Sequence, residues 1–275
     1  MANISASEVN KLRQITGSGM MDCKNALVEA DGDIEAAIDI LRKKGMKVAN
    51  KRADRDANEG IVMAETTADH SFAAVIMLNC ETDFVAKNEE FQKLAKDIMN
   101  LAITVKPASL EDMKNLKIDN YTVAENIMNM TGKTGEKMDL AHYHFIESPS
   151  SCAYNHHGNR LATIIGLSKP GFEELGKELC MQAAAMAPIA VDKDDVSQET
   201  IDREIEIGKD QARQEGKAEE MLEKIAVGKL QKFFKENTLL NQDFIKETKV
   251  TVRDHIAKQD KDLKVSSFNR VMLGA

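Results

Sequence analysis

The stretch FAAVIMLNCETDFVAKNEEFQKLAKDIMNLA, residues 72–102, decides how the chain is read. Its opening apolar run, FAAVIMLNC, predicts a buried strand. From Phe91 onward Leu94, Ala95, Ile98 and Ala102 recur at helical spacing, which predicts an amphipathic helix. A strand-to-helix link in a compact domain usually needs only a few polar residues. This one carries Asp83-Phe84-Val85 among its charges. Two readings of Phe84 stand. Seven residues before Phe91, it can add a rung to the apolar helix face. It can equally be displayed on the link for contact with another molecule.

The pattern recurs at an offset of 81 residues, in FEELGKELCMQAA (172–184). Phe91 matches Phe172, Leu94 matches Leu175, Lys96 matches Lys177 and Ala102 matches Ala183. Each helix follows a strand, AAVIML (73–78) and ATIIGL (162–167). Before each strand stands a candidate partner, EGIVMAET (59–66) and KMDLAHYHFIE (137–147). The predicted fold class is therefore α+β, with a duplicated strand–strand–helix core and helices on one face of each small antiparallel sheet. From Leu78 to Phe91 is thirteen residues, and from Leu167 to Phe172 only five. The eight additional positions hold the Asp-Phe-Val. A length difference confined to one copy is what a function grafted onto a common scaffold leaves behind.

Ahead of the core, residues 1–55 predict a three-helix module and linker. Ser5 and Glu8 form a capping box, with Ile4 and Val9 as its staple. Gly17 suits the first helix exit, MMDCKNALVEA gives a second helix, and Ile34, Ala37, Ile38 and Leu41 line a third that Gly45 should end. So small a core suggests a docking unit. Met20 and Met21 cannot both point into it, so one should face outward beside Lys24. The basic stretch 42–60 reads as a solvated linker or as a contact for RNA or an acidic protein. The core divides into 56–136 and 137–275. Within the second part, about 191–235 predicts an inserted antiparallel helical hairpin, with Ser197 as cap and Val196 and Ile201 as staple. A short helix over 249–258 and a last strand over 264–273 follow.

The formal charge of −8 argues against a general nucleic-acid binder. The opening MANISASEVNKL has no basic region followed by an apolar run, and no stretch is apolar enough to span a membrane. Four scattered Cys without a CxxC fit reduced thiols, so a cytoplasmic protein is expected. One cluster could carry chemistry. His142 and His144 would share a strand face, with Cys152, His156 and His157 beyond, as in a metal-dependent hydrolase. Against it stand the absence of HExxH, GxSxG, Walker A and GxGxxG in the right context. The residues favour a binding protein without a cofactor over an enzyme.

LRQITGSGMMDCKNAL with DGDIEAAIDILRKKG, and NCETDFVAKNEEF further on, resemble bacterial elongation factor Ts, in that family's order and over nearly the whole chain. The resemblance implies a guanine nucleotide exchange factor that acts on elongation factor Tu, both GDP-bound and nucleotide-free, with no chemistry of its own. It implies an N-terminal module like ubiquitin-associated domains. It also implies that Asp83 and Phe84, within Thr82-Asp83-Phe84-Val85, enter the GTPase domain near the bound Mg²⁺. Leu12, Met20, Met21 and Lys24 would dock on the same domain; Gly135, His157 and Ile245 match further contact positions. The family's Ile-Gly is Thr134-Gly135 here, and Lys246 replaces an expected apolar residue. The hairpin offers a surface for a homodimer or a 2:2 complex. A ubiquitin-like binding adaptor, suggested by the module alone, leaves the 82–85 segment unexplained.

Overall fold

The computed structural model describes residues 4–52, 54–247 and 249–274; residues 1–3 of the opening stretch discussed above lie outside them. Three helices come first: α1 (Ala6–Thr16), α2 (Met20–Glu29) and α3 (Ile34–Lys51). Strands β1 (Glu59–Thr66) and β2 (Phe72–Cys80) lead into α4 (Asp83–Ala86), α5 (Glu89–Val105) and α6 (Leu110–Asn115). The two-residue strands β3 (Lys117–Ile118) and β4 (Tyr121–Thr122), α7 (Val123–Thr134) and β5 (Met138–Glu147) follow. The second half runs β6 (Ser150–Asn155), β7 (Leu161–Leu167), α8 (Glu173–Met186), α9 (Gln198–Gln214), α10 (Leu222–Asn237), α11 (Val252–Gln259) and β8 (Val265–Met272).

Two antiparallel sheets, ordered β1-β2-β5 and β6-β7-β8, form the centre of an α+β fold. Alternation along the middle strands explains how they stack. In β2, Phe72, Ala74, Ile76, Leu78 and Cys80 turn toward α5, while Ala73, Val75 and Met77 turn toward the other sheet. There they meet Ala162 and Ile164 of β7 and Val271 of β8. The outer face of the second sheet packs Ile165 and Leu167 against Leu175, Leu179 and Ala183 of α8 and Ile256 of α11. The layers are helix, sheet, sheet, helix, so both middle strands are covered on both sides.

One strand pairing corrects the sequence reading. Residues 137–147 do not pair with 162–167. Met138–Glu147 closes the first sheet, with Cys80 opposite Met138 and Phe72 opposite Glu147. The partner of β7 is Ser150–Asn155. A division between 136 and 137 therefore falls one strand early, because the chain changes sheet between Glu147 and Ser150. The true strand hides behind two serines that are buried and satisfied internally. Ser150 Oγ donates to Glu173 at 3.2 Å, and Ser151 Oγ lies 2.8 Å from Ser148 Oγ.

The N-terminal module forms as its caps predict. Glu8 N–H donates to Ser5 Oγ at 3.2 Å while Ser5 N–H donates to Glu8 Oε2 at 2.7 Å. Gly45, however, does not end α3. Gly17 and Gly135 take positive φ at their helix exits (65° and 76°), but Gly45 stays helical and serves as a contact. It lies against Gly132 of α7, so closely that a Cβ built on residue 132 would sit 2.8 Å from the Gly45 Cα. Two glycines let the helix backbones touch. Around the crossing Arg42 reaches Glu125 at 3.1 Å and sits 4.4 Å over the Tyr121 ring. Arg52 bonds both Glu81 oxygens at 2.8 Å. Part of the basic stretch read as a solvated linker thus fastens the module to the core.

Helices α9 and α10 lie antiparallel, bridged by Lys209–Glu223 at 2.8 Å and Lys229–Glu215 at 3.2 Å. Val196, Ile201, Leu230 and Phe234 cluster at their base.

The crossing gives an asymmetric expectation. Gly132→Ala should destabilise the chain by about 1–3 kcal/mol, because the methyl must push backbone aside. Gly45→Ala, whose Cβ would find its nearest atoms at 3.4 and 3.5 Å, should cost less, offset by about 1 kcal/mol of helix propensity. Urea unfolding of both variants measures the difference.

Candidate functional site

The link after β2 is built to keep one side chain outside. Thr82 caps α4: its Oγ1 accepts from the Val85 amide at 3.4 Å and donates to Glu136 at 2.8 Å, while its own amide donates to the second Glu136 oxygen at 3.1 Å. Asn88 then takes an extended conformation and starts a new helix, accepting from Glu90 N–H at 2.8 Å. The break between α4 and α5 rotates Phe84 away from the Phe91 face. Val85 and Ala86 pack on the first core, whereas Phe84 is 81% exposed. The reading of Phe84 as another rung of the α5 face is overturned, because Asn88 caps α5 between the two rings.

Asp83 beside it accepts from Lys87 Nζ at 2.7 Å, and that bond holds its carboxyl below the usual range. Glu81 ties the same turn to its surroundings, accepting from Lys137 N–H at 2.6 Å and from Arg52. Burial works against the Glu81 charge, but these bonds together with Arg55 bring its pKa down. Cys80, just inside, is pushed up to about 12, by burial first and then by the Glu136 charge. It is an inert core thiol.

Several of the other candidates gather around this edge. Gly135 caps α7 one residue before Glu136, and no atom lies within 4 Å of where a Cβ would stand. His157 is exposed in the β6–β7 turn, whose Arg160 pairs with Glu59 at the start of β1. Lys133 near the end of α7 pairs with Glu90 and approaches Gly17, which brings the α1–α2 turn to the same side. On that turn Met20 and Met21 are both exposed, at 53% and 63%, where one was expected outward. The inward face of α2 is already taken by Cys23, Ala26 and Leu27. Lys24 is exposed as well. Leu12 is not available: it is wholly enclosed in the module core and has no surface to offer a partner. Ile15, missed in the sequence, is 53% exposed on the same module. Ile245 stands apart, in the loop between α10 and α11, with its amide donating to Gln182 of α8.

The metal alternative loses its ligand set. His142 and His144 do neighbour each other on β5, with ring centroids 5.6 Å apart. Cys152 instead faces the core under α8, where its thiol donates to the Glu173 carbonyl and burial raises its pKa to about 11. Among the described residues no group of three His, Cys, Asp or Glu is placed to hold a metal ion. Nor is any described helix long and apolar enough to cross a membrane.

Stacked sheets, a docked helical module and apolar side chains left exposed at one edge describe an α+β protein. A family model, described as elongation factor TS, matches residues 81–275. Relatives named elongation factor Ts match the chain along its length: 50% identity with that of Christiangramia forsetii, covering 100% of both chains, and 49% with that of Amoebophilus asiaticus, covering 99% of each. That of Cytophaga hutchinsonii is 48% identical over 99% of this chain and 100% of its own. The chain belongs to the elongation factor Ts family, whose members act in translation elongation.

The Thr82–Glu136 pair should be what stiffens the display turn. Glu136→Ala removes two hydrogen bonds and should cost about 1–3 kcal/mol locally. The amides of residues 83–86 should exchange faster by hydrogen-exchange mass spectrometry, while those of β2 stay unchanged.

Proposed function

We propose that the chain is the guanine nucleotide exchange factor of elongation factor Tu, acting in the cytoplasm by inserting Asp83 and Phe84 into the GTPase domain near its Mg²⁺ and nucleotide. The observation that carries this reading is the exposure of Phe84 on a turn whose neighbours are all anchored. A large apolar side chain left in water costs stability unless something else covers it. Because the turn is fixed by Thr82, Glu136 and Asn88, little ordering entropy opposes insertion.

Exchange follows from linkage. A factor that binds the empty GTPase more tightly than the loaded one must weaken nucleotide binding by the same factor. Burying Phe84 in a partner pocket supplies roughly 1.5–3 kcal/mol. That shifts nucleotide affinity by at most about a hundredfold. Loss of Mg²⁺ coordination and of phosphate hydrogen bonds in the partner must contribute the rest, with Asp83 orienting the turn or perturbing the Mg²⁺ water shell. Met20, Met21 and Lys24 would dock the module on the same GTPase domain; His157 and Ile245 would meet another domain. Gly135, open to solvent beside Glu136, lets a partner approach the backbone. The hairpin is available for a homodimer or a 2:2 complex.

Phe84→Ala should leave the chain's own stability nearly unchanged, since the ring makes little contact within it. With saturating protein and labelled GDP, stopped-flow release from elongation factor Tu should slow by about ten- to a hundredfold. Release as fast as with the unaltered chain would overturn the wedge.

A further inference from the structure

We propose that Gln242 is a positioning residue for the loop that carries Ile245: its buried side-chain amide, held by the ends of two helices, sets the orientation of Gln182 and through it the placement of Ile245. Both glutamines lie inside the molecule, Gln182 fully enclosed and Gln242 only 1% exposed. Gln242 Nε2 donates to the carbonyl of Glu236 in the last turn of α10 at 2.9 Å, and to that of Met186, the last residue of α8, at 3.2 Å. The last carbonyls of a helix have no partner within it, so one amide satisfies two helix ends. With both N–H groups engaged there, Gln242 has only Oε1 left, and it faces Gln182. Gln182 Nε2 donates to that oxygen at 3.1 Å and to the Asp243 carbonyl at 3.2 Å. Gln182 Oε1 is thereby turned to accept from the Ile245 amide, at 2.9 Å.

A primary amide has donors on one side and an acceptor on the other, so the orientation of the first dictates that of the second. Reversing Gln242 would set its oxygen against two carbonyls, and reversing Gln182 would set oxygen against oxygen and leave the Ile245 amide facing a donor. Each reversal leaves buried polar groups unpaired, which costs more than an ordinary hydrogen bond gains. The main chain of Gln242 is fixed as well: its amide donates to Thr238 at 3.1 Å and its carbonyl accepts from Val252 at 3.0 Å. On the surface the same loop has only the Lys246–Glu178 pair, which is partly exposed and holds weakly. Ile245 is thus held from inside by its backbone while its side chain is left 43% exposed. Because α10 is the second helix of the hairpin, the Glu236 bond also ties the hairpin's base to this loop. The consequence for partner binding rests on the reading of Ile245 as a contact; the relay between the two amides does not.

Hydrogen exchange on the full chain, read by NMR, tests it. In the unaltered chain the side-chain amide protons of Gln242 should exchange at least about tenfold more slowly than those of the exposed Gln14. Gln242→Met keeps the side-chain length and removes no bond to Ile245. It should nevertheless speed exchange of the Ile245 amide by about three- to tenfold, with the amides of β2 unchanged. Gln182→Met, which removes the acceptor itself, should do at least as much. In GDP release from elongation factor Tu, Gln242→Met should raise the concentration of chain that gives half the maximal rate by a similar factor. The rate at saturation should stay the same, since Phe84 lies on the other half. Unchanged Ile245 exchange in Gln242→Met overturns the relay, as does free exchange of the Gln242 side chain in the unaltered protein. A lower rate at saturation with an unmoved half-maximal concentration overturns the positioning role. An Ile245→Ala chain that reaches half the maximal rate at the same concentration as the unaltered one overturns the contact reading of Ile245 and leaves the relay standing.

Discussion

Strand β2 has no face to give to water. Its nine residues, Phe72–Cys80, are all buried, so one side must be covered by helices and the other by a second sheet. That demand sets the layering of the whole molecule. It recruits α5 and α7 to the outer face and β7 and β8 to the inner one. It also places the strand's exit at a crowded edge, where the Cys80 thiol sits beneath Glu136 and the chain must leave at once. Thr82 is the first residue free to turn, and the turn it caps puts Phe84 outside.

The same edge collects contacts from distant parts of the chain. Arg52 at the end of α3 reaches Glu81, Glu136 holds Thr82, and Arg160 of the β6–β7 turn reaches Glu59. Most of these pairs are only partly buried, and such pairs contribute little individually to stability. Their effect here is geometric. They tie together the end of α3, the 82–86 turn and the end of α7, three segments far apart in sequence. The loop of Ile245, on the other half of the molecule, is held by a separate pair of buried amides, Gln182 and Gln242.

The two halves differ in the length of the link from middle strand to helix. The scaffold needs only a short link from a middle strand to its helix, as β7 and α8 show. The additional residues of the first half do not enlarge the core. They form a capped turn whose apolar ring the fold itself leaves uncovered.

Much of this was legible from local pattern. The apolar run of β2, the helical stripe of α5, the caps at Ser5 and Ser197 and the hairpin's two helices depend on residues close in sequence, and such signals survive without tertiary context. The extra length at 82–85 was legible too, as charges and an aromatic where a short link would do, but not whether Phe84 faces the core or the solvent. Tertiary structure alone decided what depends on distant partners. β5 could choose either sheet, and the choice turned on a serine-rich strand whose burial is satisfied by hydrogen bonds. Gly45 reads as a helix stop until Gly132 is brought against it. Leu12 and Met20 are both apolar helix residues, yet one is sealed in the module core and the other left in solvent. Periodicity fixes which residues share a face; only packing decides whether that face is covered.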